Sequence, residues 1–117
     1  MDTMGNTLET METAGLSRMT KVEIVVEGAD SHSVREVFRA NGASGFTSLS
    51  GVSGLGHGGY HQGRLIFNEQ ATLELLITVV PEERIESLMA GLRPILESSS
   101  GVMFVTETWV SRPEYFE

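Results

Sequence analysis

The sequence contains no cysteine and few positively charged residues. Without cysteine the chain forms no disulfide, and thiolate catalysis and cysteine-based zinc sites are excluded. Only 8 lysines and arginines stand against 16 aspartates and glutamates, which gives a formal net charge of -8. Because binding to a polyanion depends on cations that displace its counterions, this balance argues against nucleic acid and anionic membrane surfaces as partners.

Long hydrophobic runs are also missing from the chain. No apolar stretch approaches the roughly 18 residues of a membrane-spanning helix, and the N-terminus lacks the basic start and apolar core of a secretory signal. We therefore expect a cytoplasmic protein that does not span a membrane. Its 117 residues, 40% of them hydrophobic, suit a single domain. Apolar positions near the start are scattered, so we predict a flexible extension over 1–19 and a folded domain over 20–117.

Alternation and helical periodicity predict the order of the elements in that domain. Strands are predicted at 21–27, 46–50, 73–80 and 102–110, and helices at about 32–41 and 81–97. Ser33 and Glu36 have the spacing of a capping box at the start of the first helix. The order β-α-β-β-α-β predicts an α+β, ferredoxin-like fold, with both helices on one face of a four-stranded antiparallel sheet.

The other face of that sheet is predicted to be bare and largely apolar. It would carry Val25, Leu76 or its neighbours, and Trp109 or its neighbours, mixed with glutamates. A large exposed apolar surface usually marks an interaction site. Self-association is the natural way to cover it.

Glycine is concentrated in one part of the chain, since eight of the 13 glycines lie between Gly42 and Gly63. We predict that the densest part, residues 51–60, forms no regular strand or helix. Two interpretations stay open: a flexible hairpin connection, or a ligand-binding loop whose free N–H groups hold an anion. The glycine spacing is close to a dinucleotide fingerprint, but no helix follows and the unit is not a parallel βαβ.

Few residues suggest catalysis or metal binding. His57 and His61 have the spacing of metal ligands on a helix, but the glycines between them disfavour a helix, and we predict no metal site. Arg64 and Arg112 are the cations best placed to meet a phosphate. Carboxylates in the predicted strands have no nucleophile or base beside them, so we predict no catalytic residue. These carboxylates are Glu23, Glu27, Glu74 and Glu107.

Taken together, four segments resemble the PII signalling superfamily over about residues 20–112. They are the Gly-x-x-Gly-aromatic-Thr element at 42–47, the glycine-rich loop, the strand ended by Pro81-Glu82, and the run Gly101-Val-Met-Phe-Val. The first element is most similar to that of PII-like regulators of inorganic-carbon uptake, in particular the carboxysome-associated type. The resemblance implies a non-enzymatic homotrimer that binds adenine nucleotides between subunits and signals through the long loop after the second strand, the T-loop.

The resemblance also implies the binding residues. Gly45, Phe46 and Thr47 match the element on the adenine side, and the glycines of residues 54–59 match the loop base around the phosphates. The full set implied for the nucleotide is Gly45, Phe46, Thr47, Gly54, Leu55, Gly56, His57, Gly58, Gly59, Arg64 and Arg112. For the carbon-linked relatives it further implies bicarbonate, which we place at Gly56, Gly58 and Arg64, and a bicarbonate transporter or carboxysome-associated protein as partner. No cofactor is expected beyond these ligands.

One departure from the family bears on nucleotide preference. Lys21 is the only lysine, so the lysines with which nitrogen-sensing PII proteins hold the β- and γ-phosphates are missing. Losing charge-assisted contacts weakens the binding of a triphosphate most, so we predict that AMP or ADP is preferred over ATP. Two other functions stay open: a small phosphate-ester hydrolase that uses His57 and Arg64, and a divalent-metal-responsive trimer of the same fold that uses His57 and His61.

Overall fold

A computed structural model describes residues 3–43, 45–56, 59–61, 72–99 and 101–116. The helices are α1 (Thr3–Thr13), α2 (Gly28–Ala40) and α3 (Ile85–Ser98), and short 3-10 turns lie at Glu82–Arg84 and Pro113–Tyr115. The strands are β1 (Ser17–Glu27), β2 (Phe46–Val52), β3 (Gly54–Gly56), β4 (Gly59–His61), β5 (Leu73–Val80) and β6 (Val102–Val110).

Four strands form one antiparallel sheet in the order β2-β5-β1-β6. Its register pairs Ile24 of β1 with Leu76 of β5 and with Met103 of β6. The elements β1, α2, β2, β5, α3 and β6 follow the order β-α-β-β-α-β, so the predicted α+β, ferredoxin-like fold is confirmed. In this arrangement β2 and β6 are the edge strands, and among the described residues each is paired on one side only.

The hydrophobic core lies between the sheet and the two long helices α2 and α3. Alternate residues of β1 point into it, because successive side chains of a strand face opposite sides of the sheet. The helices contribute residues at helical spacing, as predicted for α3. The core residues are Val22, Ile24 and Val26 of β1, Leu76 and Val80 of β5, Val34 and Phe38 of α2, Leu88 and Leu92 of α3, and Ala43.

The face opposite α2 and α3, here called the open face, is apolar, as predicted. Leu49 of β2 is 51% exposed and Phe104 of β6 is 53% exposed, and Val25 and Leu75 between them are half-buried. At two positions the prediction left open whether a residue or its neighbours lie on this face, and the structure decides between them. Leu76 lies in the core and its neighbour Leu75 on the open face, while Trp109 pairs with Arg18, on the helix-covered side.

The N-terminal segment was predicted to be flexible, whereas residues 3–13 form α1 and β1 begins at Ser17. The last helical residue is Thr13, and the turn that stops the helix contains Gly15. The φ of Gly15 is 84°, in the left-handed region that favours glycine. There the Gly15 N–H donates to Glu12 O and the Leu16 N–H to Met11 O, both at 3.0 Å, which is the Schellman pattern. This turn is the C-terminal stop signal of α1. The prediction used only the apolar positions, which are scattered, and so it missed the helix.

The capping box predicted for the helix α2 is wrong. Ser33 lies inside α2, which begins directly after β1 at Gly28. The Gly28 N–H donates to Thr72 O at 2.8 Å, so a backbone partner from the chain before β5 fixes this end of the helix. At the end of α3 the prediction holds: the Ser99 hydroxyl donates to Ile95 O and accepts from the Gly101 N–H, and so closes the helix.

The glycine-rich segment was predicted to lack regular structure, and this is wrong for part of it. Gly54–Gly56 and Gly59–His61 pair as the antiparallel hairpin β3–β4, separate from the main sheet, with Leu55 opposite Tyr60. Antiparallel backbone hydrogen bonds need no side chains, so glycine weakens a strand without forbidding it. Just before the hairpin, Gly51 at φ 77° makes a bulge that shifts the register between β2 and β5.

Candidate functional site

The start of β2 holds the predicted binding residues Gly45, Phe46 and Thr47. β2 is an edge strand, so one side of its backbone is left unpaired by the main sheet. Phe46 pairs with Thr78 of β5, and the buried Thr78 hydroxyl donates to Gly45 O at 2.5 Å. This bond fixes the Gly45 peptide to the end of β5.

The turn between α2 and Gly45 is held by side chains from the start of α3. Gly42 has a φ of 76°, which favours glycine, and its carbonyl accepts a hydrogen bond from Arg84 Nη1 at 3.2 Å. One residue earlier, Asn41 accepts from the Ser87 hydroxyl at 2.5 Å and donates to Val37 O at 2.8 Å. The chain therefore enters β2 from a turn that is tied to both helices.

The C-terminal turn packs directly on Gly45. A Cβ atom added to Gly45 would lie 2.8 Å from the carbonyl oxygen of Tyr115 and 3.3 Å from the ring of Phe116. Since a backbone oxygen has little freedom to move away, only glycine fits under this turn. In the same turn Arg112 Nη1 donates to the Tyr115 hydroxyl at 2.8 Å, with the guanidinium 5.5 Å from the ring centroid. The turn that carries Arg112 thus packs on Gly45, and both residues were predicted to bind the nucleotide.

An ion pair lies beside Phe46 on the helix-covered side of β2. Arg35 Nη2 of α2 bonds with Glu74 Oε1 of β5, and it also donates to the Ser48 hydroxyl at 3.2 Å. The Arg35 guanidinium is 5.5 Å from the Phe46 ring centroid, and the Phe38 ring lies 6.0 Å from that ring. These contacts hold Phe46 between a cation and an aromatic ring.

Apart from Arg112, which lies in the C-terminal turn, the predicted phosphate-side residues lie beyond the other end of β2. Gly54, Leu55, Gly56 and Gly59 form the hairpin β3–β4, and the predicted residues His57, Gly58 and Arg64 lie outside the described residues. The seven residues of β2 separate this hairpin from Gly45. At about 3.3 Å per residue the separation is about 20 Å, longer than an extended nucleoside diphosphate. Within one chain, therefore, the two predicted groups do not meet at one nucleotide.

A cleft of 690 Å³ lies beside the C-terminal turn, and Pro113 forms part of its wall. Glu82, Glu83 and Glu107 line it, with Arg18 as the cation, at 3.7 Å from Glu107. The surplus of carboxylates would repel a phosphate. This cleft is therefore a poor place for a nucleotide.

The described residues give no support to a metal site. Within residues 3–43, 45–56, 59–61, 72–99 and 101–116, no group of three or more histidines and carboxylates is placed to hold a metal ion. His61 lies in β4 opposite Gly54, and His57, its predicted partner, is outside those ranges. None of the helices in the same ranges is both long and apolar enough to cross a membrane.

Comparison with known proteins agrees with this architecture. The sequence profile of the family described as nitrogen regulatory protein P-II matches residues 19–115. The chain belongs to the P-II family. The matched part begins within β1 and ends in the C-terminal turn on Gly45, so it includes every element of the main sheet. Among curated protein sequences, none matches the chain.

Solved structures of P-II proteins are similar over most of the chain. CPII from Thiomonas intermedia K12, bound to ADP, AMP and bicarbonate, is 38% identical, with a TM-score of 0.80 over 86% of this chain and 95% of that chain. A second CPII structure, bound to ADP and bicarbonate, is 34% identical, with a TM-score of 0.78 over 87% and 97%. GlnK from B. subtilis, at 20% identity and a TM-score of 0.56 over 79% and 86%, shares the fold.

Sequence reasoning missed the side chains that hold the predicted P-II residues in place. Thr78 and Arg84 are far from residues 42–47 in sequence, and Arg35 lies in the helix α2 that comes just before them. No local pattern marks any of the three as a neighbour. The one available signal was glycine at position 45. A glycine directly before a strand is typical of a close approach by another part of the chain, here Tyr115 and Phe116.

Proposed function

We propose that the protein is a trimeric, non-enzymatic P-II sensor of adenine nucleotides, with its binding sites between subunits. The observation that carries this proposal is the position of the two predicted groups at opposite ends of β2. Gly45 and Arg112 lie at one end and the glycine hairpin at the other, about 20 Å apart. Both groups contact one nucleotide if they come from different subunits.

The open face supports the trimer. It presents Leu49, Leu75 and Phe104 to the surface of a chain with a formal net charge of -8. Burying apolar area contributes about 25 cal/mol per Å², so a face of this kind provides a driving force for association. Packing three sheets through this face brings the edge strands of neighbouring subunits together. The start of one β2 then lies near the hairpin of the next subunit.

The ligands are AMP and ADP in preference to ATP. The CPII structures bound to ADP and AMP, at 38% identity, support adenine nucleotides as the class. The preference follows from charge. Lys21 is the only lysine and pairs with Glu23 at 3.4 Å, so no lysine is available for a γ-phosphate. Each charge-assisted contact contributes about 1.5 to 3 kcal/mol to binding. A triphosphate therefore gains less binding free energy here than in PII proteins that have those lysines.

The glycine-rich segment acts as the T-loop and carries the signal. A nucleotide that binds one conformation of the segment better than another shifts the population and changes the surface that a partner meets. The partner is a bicarbonate transporter or a carboxysome-associated protein, and bicarbonate is a second ligand at Gly56, Gly58 and Arg64. The bicarbonate bound in the CPII structures supports this carbon-linked role.

The proposal is tested by calorimetric titration of AMP, ADP and ATP into the protein, with light scattering on the same sample. We expect a trimer that binds one AMP or ADP per chain, binds ATP more weakly, and releases no phosphate. A trimer that binds none of the three contradicts the sensor function, and steady phosphate release favours the hydrolase instead. Repeating the ADP titration with bicarbonate on Arg64→Ala tests the second ligand: an unchanged bicarbonate response contradicts the placement at Arg64.

A further inference from the structure

Tyr115 lies in the C-terminal turn that packs on Gly45, the residue predicted for the adenine side, and the proposed function gives its ring no role. It is 58% exposed, the most exposed large hydrophobic side chain among the described residues, while the backbone of the same residue lies against Gly45. The open-face residues Leu49 and Phe104 have a neighbouring subunit to cover them in the proposed trimer. Tyr115 belongs to the C-terminal turn and not to a strand of the sheet.

The ring also has a side-chain partner that favours one orientation. Its hydroxyl accepts a hydrogen bond from Arg112 Nη1 at 2.8 Å, and the guanidinium lies 5.5 Å from the ring centroid. The turn beneath it is closed by two backbone hydrogen bonds, from the Tyr115 N–H to Arg112 O at 3.1 Å and from the Phe116 N–H to Pro113 O at 2.9 Å. A ring ordered before binding loses little conformational entropy when a ligand stacks on it.

A flat, exposed and ordered aromatic ring is suited to the face of a purine base. Such stacking is favourable for any base, and it leaves the polar edge of the base free for backbone groups of an edge strand such as β2. We propose that Tyr115 is the residue on which the adenine ring stacks, with Arg112 as the positioning residue that orients it. This inference rests on the proposed function and specifies which part of the nucleotide the C-terminal turn recognises.

Because the base is common to all adenine nucleotides, the contact has a characteristic signature. Removing the ring weakens AMP and ADP by the same factor and leaves the ratio of their affinities unchanged. A residue that contacted phosphate would change that ratio. The hydroxyl is not in the stack, so a phenylalanine ring at this position preserves most of the affinity.

The test is calorimetric titration of AMP and ADP into the full chain and three variants. Tyr115→Leu keeps an apolar side chain but loses the ring, and we expect about tenfold weaker binding of both nucleotides. Tyr115→Phe keeps the ring and stays within about twofold of the wild type. Glu114→Gln, an exposed change in the same turn, is the control and leaves binding unchanged. Urea unfolding of each variant verifies that the fold is retained.

The outcomes separate this inference from the proposed function. If the wild type binds neither AMP nor ADP, the sensor function fails and the stacking role fails with it. If the wild type binds and Tyr115→Leu binds equally well, the function stands and the stacking role is wrong. It is equally wrong if Tyr115→Phe is as weak as Tyr115→Leu, or if the ratio of AMP to ADP affinity changes with the ring.

Discussion

Arg35 of α2 and Glu74 of β5 form an ion pair in which the two partners differ in burial. The Glu74 side chain is 8% exposed, whereas that of Arg35 is 36% exposed. The pair joins the helix layer to the sheet at the point where Ser50 of β2 lies opposite Glu74, just before the Gly51 bulge. It therefore fixes the end of β2 from which the glycine-rich segment leaves the sheet.

Removing Arg35 is expected to lower the free energy of unfolding more than removing Glu74. Arg35→Ala leaves a buried carboxylate without its cation, which should lower the free energy of unfolding by about 3 kcal/mol. Glu74→Ala leaves a guanidinium that reaches water, so the loss should be smaller, about 1 to 2 kcal/mol. Urea unfolding followed by circular dichroism measures both. Equal losses for the two variants would contradict the role assigned to burial.

A second ion pair on the same helix provides the control for that experiment. Arg39 Nη1 lies 2.6 Å from Glu36 Oε1, but the side chains are 71% and 50% exposed. Exposed pairs of this kind contribute little, so Arg39→Ala should change the free energy of unfolding by no more than about 0.5 kcal/mol.

Gly45 and the C-terminal turn are expected to be energetically coupled. Gly45→Ala places a methyl group against Tyr115 O and should lower the free energy of unfolding by about 1 to 3 kcal/mol. A chain that ends at Ser111 lacks Tyr115, so the added methyl group meets no backbone oxygen. In that chain the same substitution should be neutral or slightly stabilising. A double-mutant cycle by urea unfolding measures the coupling. Additive effects in the cycle would show that the turn does not pack on Gly45.

The hydrogen bond between Thr78 and Gly45 should contribute measurably to stability. Thr78→Val replaces the hydroxyl by a methyl group of the same shape and removes the donor to Gly45 O. We expect a loss of about 1 kcal/mol in the free energy of unfolding. Thr10→Val, at an exposed position of α1, is the control and should stay within about 0.5 kcal/mol of the wild type. If the two substitutions changed the free energy of unfolding equally, the stabilising role assigned to the Thr78 hydroxyl would be wrong.

Charge on the open face is expected to break the trimer without unfolding the chain. Phe104→Glu or Leu49→Glu would bury a carboxylate in the proposed interface, so light scattering should report the mass of a monomer. Leu8→Glu is the control, since Leu8 is a 37% exposed position of α1 outside the sheet, and its mass should match the wild type. Trimers that persist in both open-face variants would place the interface elsewhere.

The main sheet was predictable because its strands are amphipathic or apolar over most of their length. Val22, Ile24 and Val26 alternate with residues of which three, Lys21, Glu23 and Glu27, are charged. Pro81 marks the end of β5, so the type of these strands and the end of β5 follow from local sequence. The errors arose where the local signal was weak or misleading. α1 lacks a periodic apolar stripe, and the spacing of Ser33 and Glu36 occurs inside α2 by chance.

The site was predictable only in part, for a different reason. The glycine positions and Arg112 follow from the family resemblance. The contacts that hold them do not, since Thr78, Arg84 and Tyr115 are each more than thirty residues from their partners in the 42–45 turn. Such contacts are properties of the folded chain. The hairpin β3–β4 was missed because a high glycine content disfavours a strand. Backbone hydrogen bonds between the two segments were nevertheless enough to form it.

The claim that one nucleotide is bound by two subunits is tested most directly with mixed trimers. Gly45→Val blocks the adenine side and Gly56→Val blocks the hairpin, so each variant alone should bind no ADP in a calorimetric titration. When the two variants are coexpressed with different affinity tags and purified as mixed trimers, some sites combine an intact Gly45 from one subunit with an intact Gly56 from the other. We predict that the mixed trimers regain ADP binding at those sites. Mixed trimers that bind no ADP, while the wild type binds it, would contradict a site shared between subunits.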